Sequence, residues 1–324
     1  MPRKHYHSGG SQPSQNEVVT KLTAPYEAVM PRTASTSIAQ FRSAFQDDDA
    51  CLEHVFKVRF GSSLCCPSCG GPTHWYHGKG KRYFASSCCG GRQVFPLAGT
   101  LMAHTIIPPL KWFRALLYFS NFNSGITTRF LSVHLGLSHK AAARMASRIR
   151  QHLAAIDGLI TFGGPGKTVF IDEAVIKKIV RTDGRRASSM QLLILSDTES
   201  IRAIPFEGKM GGRAMRQIQC TTHPESVFEI RSKNIFRKLT QYRKISKLDE
   251  NRISISKDNN HKEYYLMSVF SIAMKNFILA THLKISQKYL PNYLSHFQFI
   301  YNRRNSGKSV FAQSISNFHN INFV

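Results

Sequence analysis

The residues best equipped for chemistry in this sequence are its cysteines. Cys66-Pro-Ser-Cys69 is followed by Gly70, and Cys88-Cys89 by Gly90 and Gly91. A Cys-x-x-Cys-Gly turn lets backbone amides face two thiolates, and a tetrahedral zinc takes four sulfur or nitrogen ligands, commonly as two such pairs. The second pair lacks that spacing, because Ser86 stands two residues before Cys88, where a ligand would complete it. Cys66 and Cys69 are the assured ligands. The rest of the set is expected from Cys88 and Cys89, with Cys65, His74 and His77 as other sources of the fourth ligand. Cys51 and Cys220 stand alone and read as core residues. The expected cofactor of this cluster is one structural zinc.

A second group of residues could do electrostatic work. Lys and Arg number 44 against 19 Asp and Glu, a net charge of +25. Such an excess of one sign usually answers a polyanionic partner, most often nucleic acid. Lys140, Arg144 and Arg148 recur at i, i+4 and i+8 and share one helix face that suits a major groove or a row of phosphates. Between Arg231 and Lys262 lie ten Lys or Arg and three acidic residues, a phosphate track without sequence preference. No apolar run approaches the ~20 residues of a membrane span. The N-terminus, MPRKHYHSGGSQPSQ, lacks the apolar stretch of a secretory signal. A cytoplasmic, nucleoid-associated protein is expected, in a reducing compartment where clustered cysteines read as metal ligands.

The elements that must position these residues can be read from periodicity. Residues 1–36 are polar and aperiodic, an expected disordered arm. Ser37 to Phe60 has helical apolar spacing, and residues 61–100 are the Gly- and Cys-rich ribbon. Pro108 and Pro109 open a helix. TTRFLSVHL and SHKAAARMASRIRQHLAAI are two helices split at Gly136-Leu137, with Ser138 placed to cap the second, the pattern of a helix-turn-helix. A Gly-rich linker (158–166) leads to KTVFI, a strand ending at Asp172. Strands follow at Met190–Leu195, Ser200–Phe206 and Ser226–Ile230, and helices at Glu263–Leu283 and Tyr289–Arg304. Strands followed by helices predict an α/β (α+β) domain.

The blocks CPSCG, RYF, CCGGRQVFPLAGT, PLKWFRAL and GITTRFLSVHLGLSHKAAARMASRIR, then VFIDE and KNFILATHLKISQKYLPNYLSHFQFIYNRR, stand in an order that resembles the ISXO-type insertion-sequence transposases. The resemblance covers roughly residues 37–306. It implies a zinc ribbon, a helix-turn-helix-like segment and an RNase H-like mixed sheet with helices. The implied boundaries are 1–36 for the arm, 37–104 for the ribbon with its leading helix, 105–157 for the helical DNA-binding segment and 158–324 for the DDE-type domain.

The same resemblance implies metal-dependent DNA strand cleavage and transfer, with carboxylates holding two Mg²⁺ or Mn²⁺ ions. Asp172 matches the first acidic ligand, with Glu173 beside it, and Lys275 matches a late lysine of the family. The second ligand position falls at Lys233 and the third at Ala273, neither of which can ligate a cation. Glu225, Glu229, Asp249 and Asp258 are the nearest substitute carboxylates for the second. Tyr301-Asn302-Arg303-Arg304 resembles the family's C-terminal motif, which adds Arg303 and Arg304 to the candidate contacts, either with the DNA backbone or in domain packing. The implied partners are double-stranded DNA and further copies of the chain assembled on it. With two ligand positions substituted, the alternative is a catalytically inactive DNA-binding remnant or a repressor of transposition.

Overall fold

The structure, a computed structural model, describes residues 35–61, 65–66, 68–158, 160–180, 188–206, 212–233, 237, 253–256, 262–282 and 285–318. Most of the expected arm and most of the basic run from Arg231 to Lys262, with Asp249 and Asp258, lie outside them.

The stretch expected as one leading helix is two. Helix α1 (Ile38–Ala44) is closed by a capping box between Ser37 and Gln40, and α2 (Asp48–Phe60) starts anew because the Asp47 carboxylate accepts from the Ala50 amide. The ribbon follows as three short antiparallel strands in the order β1 (Trp75–His77), β2 (Phe84–Ser86), β3 (Gln93–Val94). Three helices come next: α3 (Pro109–Asn121), α4 (Thr128–Leu135) and α5 (His139–Asp157). Gly136 takes a left-handed conformation (φ 58°) to end α4, and the Ser138 hydroxyl accepts from the Ala141 amide to start α5, as its sequence predicts.

The main sheet is mixed. Strands β4 (Thr168–Val180), β5 (Ser188–Ser196) and β6 (Ile201–Phe206) form an antiparallel meander. Helix α6 (Gly212–Thr221) then crosses over to β7 (Val227–Ile230), which lies parallel to β4, and β8 (Ile253–Ile255) lies parallel to β7. The order is β6-β5-β4-β7-β8, with β9 (Ile285–Ser286) pairing the far end of β4. Helices α7 (Lys262–Asn276) and α8 (Leu290–Arg303) cover one face, and a short α9 (Val310–Ser314) follows. This mixed α/β layout bears out the coarse fold class.

β4 does not end at Asp172. Ala174 and Ile176 are buried while Glu173, Val175 and Lys177 are exposed, so the alternation of a half-covered strand runs on past the acidic pair. Phe170, Ala174 and Ile176 join Tyr264, Met267, Phe270 and Ala273 of α7 in one apolar cluster, and Val169 and Ile171 join Ile218 of α6 in another. The sheet is therefore sandwiched. A third cluster joins α1 to α5 with Phe84 of the ribbon, Phe299 of α8 and Phe311 of α9. Phe299, Val310, Phe311, Ile315 and Phe318, late in the sequence, pack in this cluster with residues of the leading helices.

The linker is packed as well. Phe162 is fully buried, and a Cβ on Gly163 (φ 76°) would meet the Ser226 hydroxyl at 2.3 Å. Only glycine allows that approach. No helix among the described residues is long and apolar enough to cross a membrane.

Candidate metal centre and nucleic-acid interface

The four cysteines converge. The sulfurs of Cys66, Cys69, Cys88 and Cys89 all lie within 4.8 Å of one another, and Cys69 and Cys88 are 4.0 Å apart. The first turn is the expected one: the Gly70 amide donates to the Cys66 carbonyl, and the Cys66 amide to the Gly71 carbonyl, both at 2.8 Å. The second pair reaches the same corner differently. Cys89 adopts a left-handed backbone (φ 52°), which turns adjacent thiols to a common point, and the buried Ser86 hydroxyl donates to the Cys88 carbonyl at 2.9 Å. Ser86 thus braces the turn that a ligand there would have formed. His77 stacks on Phe84 and hydrogen-bonds the Lys81 carbonyl, and Cys65, His74 and His77 are not among the four residues whose ligand atoms cluster.

The donor set fits a soft divalent cation. Amides of Ser68 and Cys69 donate to the Cys66 sulfur and bring its pKa down to about 6. Hydrogen bonding to Cys69 and Cys66, then burial, pushes Cys89 up to about 12. Thiols this close cannot all ionise against one another, and a cation at their centre removes that conflict. These four residues could hold a metal such as zinc.

Asp172 lies on the face of β4 that α7 covers. β7 stops pairing at Ile230, opposite Ile171, and the next residue, Arg231, faces Asp172. Its Nη1 donates to Asp172 Oδ2 at 3.3 Å, and its guanidinium also lies over the Tyr264 ring, 5.6 Å from the centroid. The Asp172 side chain is 18% exposed and that of Arg231 36%. Burial first, then the Glu229 and Asp172 carboxylates, push the Tyr264 phenol up.

The residue beside Asp172 at the end of β7 is Arg231, while Lys233, the expected second ligand position, is exposed. The α7 residue at the Asp172 end is Tyr264. Ala273 lies nine residues further on, about 13 Å at 1.5 Å per residue, buried in the apolar layer, and Lys275 is half-buried. Glu173 alternates to the opposite face and is exposed, within 3.5 Å of the Ser232 hydroxyl. Among the described residues, the cysteine quartet is the only group of three or more His, Cys, Asp or Glu whose ligand atoms come so close together.

The basic side chains divide by use. Lys140 and Arg144 are exposed on α5, and Arg129 is exposed on α4. Arg148, expected on the same open face, is half-buried and donates to the carbonyls of Leu101 (3.3 Å) and Ala103 (2.6 Å). Arg59 does the same for Pro96 and Ala98, and Arg82 for Thr105 and Ile106. Three guanidinium groups thus satisfy the carbonyls of one irregular loop.

Arg303 pairs with the buried Asp157 at 3.1 Å, and Arg304 stacks on Tyr301 at 3.5 Å. Both make packing contacts within the fold, the second of the two roles expected for them. Arg150 lies about 200° around α5 from Arg148, off the face shared by Lys140, Arg144 and Arg148, so periodicity does not single it out. Phe119 and Tyr293, which enclose it, come from distant helices.

No family model matches the chain, and no match is found among curated proteins.

Proposed function

We propose that this protein is a DNA-binding protein of ISXO-type transposase descent in which an arginine has taken the place of the catalytic metal ions. The observation that carries the reading is the Arg231–Asp172 pair at 3.3 Å. A guanidinium there supplies the positive charge that the first carboxylate of a DDE site otherwise takes from Mg²⁺ or Mn²⁺. The sheet order supports an RNase H-like fold: a meander of three antiparallel strands, then two parallel ones, with Asp172 inside the first strand. The capped α4-turn-α5 unit with Lys140 and Arg144 exposed supports DNA docking. The cysteine quartet would hold structural zinc, which fixes the turns of a ribbon too small to have its own core.

DNA binding would then be electrostatic and salt-dependent. Anisotropy titrations of labelled duplex DNA across 50–200 mM salt test this, at concentrations where counterion release steepens the response. Affinity that does not change with salt refutes it. The loss of chemistry is tested by strand transfer from a supercoiled donor in Mg²⁺ or Mn²⁺. Robust transfer that Asp172→Asn abolishes would return the protein to the active transposases.

A further inference from the structure

Arg150 is only 5% exposed and, among the described residues, has no carboxylate partner. Its Nη2 donates to the Ile126 carbonyl at 3.3 Å. Its guanidinium lies 4.0 Å from the Tyr293 ring centroid and 5.3 Å from that of Phe119. The Nε is buried with no acceptor. Ring faces compensate a buried cation only in part, and a charge without a counter-ion is costly to keep in a protein interior.

Arg150 also lines a cavity of about 290 Å³ bounded by α4, α5, α8 and Tyr289 just before α8. α5 contributes Ser147 one turn before Arg150, and α8 contributes Asn292 and Tyr293. Thr128, the first residue of α4, completes the rim. The amides that open a helix have no intrahelical acceptor and carry its positive dipole end. Every polar side chain on this wall can donate a hydrogen bond, and none is acidic. His282 and His296 nearby are held neutral by burial, with the Arg150 charge adding to the effect, so the guanidinium is the formal charge at this floor. Exposed Lys140 and Arg144 stand at i−3 and i+1 from Ala143, another lining residue.

We infer that this cavity is an anion site that takes a backbone phosphate of duplex DNA, with Arg150 as its counter-ion. The inference rests on the DNA-binding reading and deepens it. The phosphate sits where the first helix of a helix-turn-helix crosses the strand, which fixes how far the α5 face enters the groove. The outer basic residues add affinity that falls with salt, and the contact within the cavity sets register.

Two variants and one control test it on the full chain. Ser147→Asp places a carboxylate in the cavity as an internal counter-ion. Arg150→Met removes the charge and keeps the bulk. Lys57→Gln removes one charge on α2, far along the sequence from the cavity. In DNA titrations, Ser147→Asp and Arg150→Met should each weaken binding roughly 10- to 100-fold, as for loss of a hydrogen bond to a charged group. The slope of log K against log salt should fall by about 1, while Lys57→Gln has a small effect. Inorganic phosphate at matched ionic strength should raise the melting temperature of the wild type and leave that of Ser147→Asp unchanged. Ser147→Asp should melt no lower than the wild type, which separates lost binding from lost fold. If both variants bind DNA with wild-type affinity and slope, the inference is overturned and the DNA reading stands. If phosphate stabilises the wild type but no DNA binds, the DNA reading fails and the cavity serves free phosphate instead.

Discussion

Replacing Arg231 by Asp should convert the Asp172 site from one that repels divalent cations to one that binds them. Arg231 Nη1 is 3.3 Å from Asp172 Oδ2. An Mg–O bond adds about 2.1 Å, so a cation on the far side of the carboxylate would sit roughly 5 Å from the guanidinium. The substitution changes the charge at that distance by two units. Acting on a divalent ion, this is worth about 3 kcal/mol in bulk water, from 332 × 4/(80 × 5). Screening over a Debye length of ~8 Å reduces it to about 2 kcal/mol. The gain in affinity is then roughly 20-fold with screening and about 300-fold without it. Mn²⁺ titration followed by electron paramagnetic resonance reads this directly, after the cysteine site has been loaded with zinc. The wild type should show no Asp172-dependent Mn²⁺ site, and Arg231→Asp should create one that a further Asp172→Asn removes. Tight Mn²⁺ binding by the wild type, lost in Asp172→Asn, would refute the view that the guanidinium stands in for the metal.

Metal analysis should find one zinc per chain, and Cys66→Ser should lose it and destabilise the ribbon, since the quartet lies within 4.8 Å. Protein that retains full zinc with Cys66→Ser, or holds none when purified without chelator, contradicts the assignment. Acid should destabilise the fold in the range where unfolded histidines take up protons. His282 and His296 have pKa values lowered to about 3, so between that value and the unfolded value near 6.5 the unfolded chain binds protons that the folded chain excludes. Their neutral burial stabilises above pH ~6.5 and is lost as pH falls, by about 1.4 kcal/mol for each histidine at pH ~5.5. Urea unfolding at both pH values checks it: His296→Gln should flatten the dependence, and an unchanged slope would contradict the account. Gly163→Ala should cost roughly 2–4 kcal/mol, because its Cβ would meet the Ser226 hydroxyl at 2.3 Å in a left-handed backbone. A melting temperature equal to wild type would mean the linker is not packed as described.

The cysteine quartet was legible in the sequence because its chemistry is local. Two short turns carry the ligands, and glycine marks where each turn reverses. The helices of the α4-turn-α5 unit were legible for the same reason, since Thr127, Gly136 and Ser138 act within a few residues. The strands of the meander followed from alternation, except that the charged pair Asp172-Glu173 masked the continuation of β4 to Val180.

Which basic residues stay free was not legible. Lys140, Arg144 and Arg148 share a spacing, yet Arg148 is taken up by carbonyls of Leu101 and Ala103, more than forty residues away in sequence. Arg303 likewise belongs to Asp157, and Arg231 to Asp172, by contacts that only the packing of helices and parallel strands creates. Periodicity fixes the direction of a side chain from its own element. What lies in that direction depends on long-range packing, and packing decides whether a cation meets solvent, a carbonyl, a carboxylate or, for Arg150, an open cavity.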